Sequence, residues 1–276
     1  MSTQAPARGT GAADTWVIAR RGLKHMRRQP EALADATIQP IMFVLLFAFV
    51  FGGAIDTGGQ VGYREFLIAG IFAQTVVFGA TFSGSAMAQD LKEGLIDRFR
   101  TLPMSPSAVL TGRTISDVVN NLLVLIVMSV TGLIVGWRIT TNVGAALLGY
   151  LLLLVFAYAV SWIMAWIGML VPSPEVVNNA AFIVIFPLTF IANTFVPLNT
   201  LPAPLQVFAE WNPISAVTQA ARELFGNENP VSRGSAPASP SWALAHPEVY
   251  TVLWAVVILL VFVPLANAQY RRSTSR

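Results

Sequence analysis

Six apolar stretches, each long enough to cross a bilayer as a helix, limit what this chain can fold into. A spanning helix needs about 20 mostly apolar residues, and the chain is 55% hydrophobic but only 11% charged. Soluble domains carry about 25% charged residues. The sequence therefore predicts an all-α membrane protein with six transmembrane helices, at approximately 36–54, 66–88, 118–137, 143–171, 176–196 and 249–268.

Lysine and arginine residues predict the orientation of these spans. An even number of spans places both termini on one side. If that side is the cytoplasm, the inner segments hold 13 of the chain's 17 cations. Cytoplasmic segments are enriched in these residues, so both termini are predicted to be cytoplasmic in a cell (plasma) membrane. The first apolar stretch has span length and no cleavage pattern after it, which predicts an uncleaved span.

The segments before the first span are polar or basic. Residues 1–13, rich in small and polar residues, are predicted to be a disordered tail. Residues 14–30 mix apolar and basic residues. This pattern is typical of an amphipathic helix lying on the inner leaflet, although a simple basic flank explains it equally well.

The segments after the fifth span are an outer loop, the last span and a tail. The loop, residues 197–248, is predicted to contain short helices, because Asn212 is a good N-cap and Pro213 suits a first helical position. Its second half, 227–241, is polar and is predicted to be flexible. Residues 269–276 are predicted to be a cytoplasmic tail.

A charged segment separates the second and third spans. Residues 90–100 hold six of the chain's 31 charged residues. Because a membrane protein keeps its charges in water, this segment is predicted to be cytoplasmic. Its apolar residues recur at helical spacing among charges of both signs, which indicates a docking helix for a soluble partner. We call residues 89–105 the coupling segment.

Polar side chains inside the spans are candidates for a transport path. Asp117 lies four residues after Arg113, a spacing that predicts a structural ion pair on one helix face, with a role in ion coupling as the alternative. Buried amides mostly hold helices together or satisfy backbone groups, as Asn193 could near Pro187, and a minority contact substrate. The possible substrate-path residues are Gln74, Asn120, Asn121, Asn178, Asn179 and Asn193. The Gly132–Gly136 spacing permits close helix packing.

Several classes of function find no support in the sequence. There is no cysteine, and the two histidines lie far apart at 25 and 246, so no metal site is predicted. The chain shows no phosphate-binding loop, no acidic metal-binding cluster and no serine nucleophile motif. No catalytic residue is assigned, and any energy for work is expected to come from another protein.

Two groups of motifs resemble a known family. The first is Glu93-Gly94, then Asp97-Arg98, then Leu102-Pro103-Met104-Ser105. The second, around the fifth span, is Phe186-Pro187-Leu188, Phe195-Val196-Pro197 and Asn212-Pro213-Ile214-Ser215, followed by Arg222. In order and spacing they are similar to the membrane subunits of ABC-2-type exporters, most of all the daunorubicin/doxorubicin-resistance type of drug-export permease. The 227–241 insert departs from that pattern.

The resemblance implies a type-2 ABC exporter fold and a half-transporter. Two permease copies, by default identical, would pair around a central path and rest on two copies of an ABC ATP-binding subunit. That subunit would hold ATP and Mg²⁺, and this chain would hold no cofactor. The coupling segment would be the coupling helix, with contacts from Glu93, Gly94, Leu95, Asp97, Arg98, Phe99, Arg100, Leu102 and Pro103. Gly94 would permit close backbone approach.

The predicted function is ATP-driven export of a lipophilic or amphipathic compound: a drug, a polyketide, a lipid or a glycolipid. The chain itself is predicted not to be an enzyme. Two alternatives from other classes are an ion-coupled multidrug carrier and a membrane-embedded lipid-modifying enzyme. This chain lacks the central carboxylate that an ion-coupled carrier would need. It also lacks the acidic metal-binding loop that such an enzyme would need. A non-transporting scaffold is a further alternative.

Overall fold

The structure of the chain, a computed structural model, describes residues 15–16, 20, 30–51, 62–94, 106–198, 201–227 and 241–273. Every regular element in these ranges is a helix. The main helices are α1 (Pro30–Leu46, continued by the π-helical turn Phe47–Phe51), α2 (Tyr63–Gly79), α3 (Thr81–Lys92), α4 (Pro106–Val135), α5 (Val143–Gly168), α6 (Pro174–Ile191), α7 (Ala203–Glu210), α8 (Pro213–Phe225), α9 (Trp242–Ala245) and α10 (Pro247–Ser273).

Most of the predicted spans correspond to helices of membrane-crossing length. Within the described residues there are five such helices, namely Tyr63–Lys92 (α2 and α3 together), Leu110–Val135, Val143–Gly168, Pro174–Ile191 and Pro247–Arg272. The first predicted span, 36–54, corresponds to a shorter apolar helix, Thr37–Val50, and ends outside the described part. An all-helical, multi-pass membrane fold is therefore confirmed, and the sixth crossing stays a prediction.

The helices that flank the coupling segment extend beyond the spans predicted from hydropathy. α4 begins at Pro106, ahead of the predicted start of the third span near 118. Its polar residues are compatible with a helix, because Thr114 and Ser116 donate to carbonyl oxygens one turn earlier. α3 continues to Lys92, so residues 89–92 belong to it. Residues 95–105, most of 14–30 and residues 228–240 lie outside the described part of the chain.

α2 lies at the centre of the bundle. Its residues from Phe66 to Val77 are all buried, as expected for a helix that is apolar on every side. Towards one end of the bundle, the ring of Phe72 makes edge-on contacts with Trp137 and Phe225, at 5.4 and 6.1 Å between centroids. We call this the Trp137 end of the bundle, and the end at which α3 stops and α4 starts the Lys92 end.

Close helix packing occurs at glycines other than the predicted pair. A Cβ atom on Gly168 of α5 would overlap the carbonyl oxygen of Gly84 in α3, so these two helices cross in backbone contact. Gly136, by contrast, ends α4 with a φ of 107° and has no neighbour near its Cβ position, and Gly132 lies against side chains. Of the predicted pair, Gly132 alone lies in tight contact with a neighbouring helix, since its Cβ position is 3.1 Å from the side chain of Ile68 in α2.

Three short helices, α7, α8 and α9, precede the last span in the described part of the chain, and α8 belongs to the core. Asn212 caps α8 by accepting from the backbone N–H of Ile214, Pro213 follows it, and Gly226 ends the helix in the left-handed conformation. These caps are as the sequence predicts. α8 is buried along most of its length against α2, α5 and α10, whereas α7 is mostly exposed. α8 thus inserts among the long helices.

Candidate functional site

The start of the coupling segment has a defined backbone geometry. Glu93 and Gly94 close the last turn of α3 through N–H bonds to the carbonyl oxygens of Gln89 and Leu91. Gly94 has a φ of 65°, which favours glycine, and open space at its Cβ position. Gly94 ends a helix here, and its predicted role in close backbone approach to a partner stays a prediction. The predicted contact residues from Leu95 to Pro103 lie outside the described residues.

An ion pair joins the two helices that flank the coupling segment. Arg113 of α4 donates to the carboxylate of Asp90 in α3, and the two side chains are 29% and 14% exposed. Beside this pair, Met87, Leu110 and Tyr270 pack in one apolar cluster. The helices on either side of residues 95–105 therefore form a firmly packed base at the Lys92 end.

The predicted partner of Arg113 was Asp117, and the structure corrects this. Asp117 accepts a hydrogen bond from the hydroxyl of Ser83 in α3, whereas Arg113 forms its ion pair with Asp90. Helical spacing made the local pair plausible, but α3 lies alongside α4 and supplies partners for both residues. The side chains of Arg113 and Asp117 therefore bond across to α3 instead of to each other.

A third contact continues this line. Asn121 lies one further turn along α4, where its amide nitrogen donates to the carbonyl oxygen of Asp117 at 3.0 Å. Its amide oxygen occupies the space that a Cβ on Gly79 would need. We call the three contacts Asp90–Arg113, Ser83–Asp117 and Gly79–Asn121 the polar seam. It runs from the base of the coupling segment into the interior of the bundle.

The seam ends at a cleft between α1, α2–α3 and α4. Its volume is about 140 Å³, and Gln39, Gln74, Asn120 and Asn121 all line it. We call it the amide cleft. It brings together three of the six predicted substrate-path residues. Gln39 was missed because it lies next to the polar flank of the first span, where an amide is unremarkable in sequence.

Two buried polar atoms at this cleft have no hydrogen-bond partner: Nε2 of Gln74 and Oδ1 of Asn121. The residues are only 3% and 2% exposed. Such atoms are rare, since each costs about 1–3 kcal/mol if it stays unsatisfied. The helix tightens locally here: Ala80 keeps right-handed helical dihedrals, and the N–H of Ser83 donates to its carbonyl oxygen three residues back.

The other three predicted amides lie elsewhere. Asn178 accepts from the hydroxyl of Ser85 at 2.6 Å and Asn179 is exposed on α6. Asn193 is buried at the Trp137 end, where its backbone N–H donates to Ser215 and its side chain contacts Gln219. The amide near Pro187 is instead Asn212, which donates to the carbonyl oxygen of Leu188 at 2.9 Å. Asn193 therefore holds helices together.

Arg222 of α8 was predicted to lie in the outer loop, at the end of the second group of motifs, and it is 1% exposed. Its guanidinium donates to three backbone carbonyl oxygens, of Phe66 at 3.0 Å, Asn193 at 2.6 Å and Thr194 at 3.2 Å. It also lies 3.5 Å from the centroid of the Phe66 ring. Burial lowers the pKa of Arg222 to about 9, so the group stays cationic at neutral pH. We call this the Arg222 site.

Metal chemistry has no structural support in the described residues, among which no group of three potential ligands comes together. The polar seam contains one pair of opposite charges and one hydroxyl–carboxylate bond, and the amide cleft has neutral linings.

Comparison with known proteins gives consistent matches. The family model described as ABC-2 type transporter matches residues 13–225. The chain is 34% identical to the daunorubicin resistance ABC transporter permease protein DrrB1 of Streptomyces coeruleorubidus over 219 residues, 79% of this chain and 77% of the relative. It is 22% identical to the probable doxorubicin resistance ABC transporter permease protein DrrC of Mycobacterium tuberculosis, over 95% and 90%. A putative transport permease, ycf38 of Pyropia yezoensis, is 27% identical over 73% and 70%.

Proposed function

The chain belongs to the ABC-2 type transporter family, and from that premise we propose that it is the membrane-spanning permease subunit of an ATP-driven exporter. It crosses the plasma membrane six times, with both termini and the coupling segment in the cytoplasm. Two copies pair around a central path. Each docks on an ABC ATP-binding subunit, which carries ATP and Mg²⁺ and performs the hydrolysis.

The observation that carries this proposal is the Asp90–Arg113 ion pair. It ties together the two helices from which the coupling segment emerges, so a displacement of that segment moves α3 and α4 jointly. Interfaces and packed helices change between discrete arrangements and do not deform continuously. ATP binding would close the two ATPase subunits, the docked segments would follow, and hydrolysis would reset the permease.

The proposed cargo is lipophilic or amphipathic. The long helices other than α2 expose many apolar side chains, and the amide cleft is lined by amides, hydroxyls and phenyl rings without a charged group. Two relatives are named for resistance to daunorubicin and doxorubicin, which supports a drug-like cargo for this chain. The substrate path would run past Gln74, Asn120 and Asn121.

The proposal is tested by comparing a charge reversal in the coupling segment with a charge reversal elsewhere on the surface. The full-length chain is purified from its native host membrane as wild type, Arg98→Glu and Arg138→Glu. Arg98 lies in the coupling segment, whereas Arg138 is exposed at the Trp137 end and serves as the matched control. The readouts are the amount of ABC ATP-binding subunit that co-purifies and the ATP-dependent uptake of the dye Hoechst 33342 into inverted vesicles.

Wild type and Arg138→Glu are expected to retain both readouts, and Arg98→Glu to lose about tenfold in each, because charge reversal opposes docking. If dye uptake persists without ATP hydrolysis and collapses with the proton gradient, the chain is an ion-coupled carrier. Metal-dependent turnover of a lipid by the purified chain alone would make it an enzyme. Equal co-purification by all three proteins would refute the assigned docking surface.

A further inference from the structure

We infer that the amide cleft binds the polar group of the cargo, and that this group is uncharged and carries a hydrogen-bond donor beside an acceptor, as a carboxamide or a hydroxyketone does. The inference rests on the proposed function and adds the chemical class of ligand. It follows from four features of the cleft: its unpartnered atoms, its neutrality, its size and the direction of its mouth.

The unpartnered atoms define the hydrogen bonds that a ligand would complete. Gln74 contributes an amide nitrogen, which is a donor, and Asn121 an amide oxygen, which is an acceptor. The orientation of Asn121 is fixed, because its nitrogen donates to the carbonyl oxygen of Asp117. A donor on one wall and an acceptor on the other complement a ligand that carries one of each.

The neutrality of the lining selects against ions. Every residue that lines the cleft is uncharged, and the nearest carboxylate along α4, Asp117, is already bonded to Ser83 in the seam. A charged group would lose its hydration here without gaining a counter-ion, and this is strongly unfavourable in a low-dielectric site. A neutral amide or hydroxyketone loses much less.

The size of the cleft matches one ring-sized fragment. Its volume of about 140 Å³ is similar to that of an engineered apolar cavity in another protein, about 150 Å³, which holds benzene. Phe43, Phe78 and Phe82 flank the amides and provide apolar contact. The polar fragment of a cargo molecule therefore enters the cleft, and the rest of the molecule stays outside it.

The mouth of the cleft faces the side of the bundle. Its lining residues lie along α1, the α2–α3 span and α4, away from the ends of these spans, and two of them, Gln39 and Phe82, are exposed, Phe82 by 41%. A ligand thus reaches the cleft within the plane of the membrane. This route suits a compound that first dissolves in the bilayer.

The test uses the natural absence of cysteine from the chain. In nanodiscs, the full-length chain carrying Gln39→Cys at the mouth is labelled with N-ethylmaleimide in the presence of four naphthalene probes. These are 2-naphthamide (donor and acceptor), methyl 2-naphthoate (acceptor alone), 2-naphthoate (anion) and 2-naphthylmethylammonium (cation). Asn179→Cys, exposed on α6 outside the cleft, is the matched control. No ATPase is needed.

The amide 2-naphthamide is expected to protect Gln39→Cys at a concentration about tenfold lower than the other three probes, since one good hydrogen bond corresponds to about a tenfold change in affinity. It should not protect Asn179→Cys. Adding Gln74→Met, which keeps the side-chain length but removes the donor, should abolish the preference. The helical signal in circular dichroism shows whether this variant is folded. Asn120→Leu, which removes another amide from the cleft wall, is a second variant in which the preference for 2-naphthamide is measured.

Equal protection by all four probes, protection mainly by an ion, or no saturable protection by 2-naphthamide would overturn the inference. Loss of this selectivity with intact ATP-dependent export would leave the proposed function standing. If 2-naphthamide protects the chain selectively but the chain binds no ATP-binding subunit, the inferred site is supported and the proposed source of energy is refuted.

Discussion

Replacing Arg222 with methionine should lower the stability of the bundle more than any single substitution of an exposed cation. The guanidinium holds three backbone carbonyl oxygens that lie on α2 and just beyond the end of α6. Methionine has a similar apolar stem, so the packing of α8 is largely kept. The substitution therefore removes the hydrogen bonds and the charge while creating only a small cavity.

The magnitude follows from the three hydrogen bonds. Each bond to a charged group contributes about 1.5–3 kcal/mol, and three of them set an upper limit of roughly 4.5–9 kcal/mol. Removal of the cation also relieves its desolvation cost, which is several kcal/mol for a buried charge. The net loss is expected to be about 2–4 kcal/mol. For a chain of this size, that corresponds to an unfolding temperature lower by roughly 5–10 °C.

The assay is thermal unfolding in detergent, followed by the intrinsic fluorescence of the chain's seven tryptophans. Arg138→Met is the matched control, because Arg138 also donates to backbone carbonyl oxygens but is exposed; its unfolding temperature should stay within about 2 °C of wild type. Arg222→Lys, which keeps the charge but cannot reach all three carbonyls, should fall in between. If Arg222→Met unfolds within about 2 °C of wild type, the site does not hold α8 in the bundle.

Three further predictions concern the Lys92 end and the helix crossing. Asp90→Arg should reduce ATP-dependent dye export, and the exchange Asp90→Arg/Arg113→Asp should restore part of it, as measured in inverted vesicles; no recovery would show that the ion pair is not the cause. Gly94→Ala should destabilise the protein by about 1 kcal/mol through its left-handed backbone, measured as a lower unfolding temperature, and should weaken co-purification of the ATP-binding subunit. Gly168→Ala should reduce the yield of folded protein strongly, because the new methyl overlaps a backbone carbonyl oxygen of α3. Gly62→Ala, whose Cβ meets nothing closer than 3.5 Å, should give a normal yield by size-exclusion chromatography.

Local features of the sequence predicted local features of the structure. Apolar runs gave the positions of the long helices to within a few residues at most ends, since hydropathy depends only on neighbouring residues. The N-cap at Asn212 and the proline after it were also correct, because capping involves groups two or three residues apart. The charged segment was predicted to connect the second and third spans. In the structure, α3 ends at Lys92 and α4 begins at Pro106.

Long-range contacts were not predictable in the same way. Arg113 has two carboxylates within reach, one on its own helix and one on α3, and only the packing of α3 against α4 decides for Asp90. The Gly84–Gly168 crossing joins residues that are far apart in sequence, so no spacing rule indicates it. The burial of Arg222 depends on α8 inserting into the bundle, whereas its sequence alone reads as an amphipathic surface helix.

The two halves of the second span are held by different neighbours. α2 is tied at the Trp137 end, where Arg222 binds the carbonyl oxygen of Phe66 and Tyr63 donates to that of Phe195. α3 is tied at the Lys92 end by the polar seam and by its crossing with α5. The amide cleft opens beside Ala80, where the two halves meet. α4 packs against both halves, against α3 through Asp90 and Ser83 and against α2 through Gly79. A motion that enters through the coupling segment and shifts α4 would therefore reach one wall of the cleft, and we expect the shape of the cleft to change during a transport cycle.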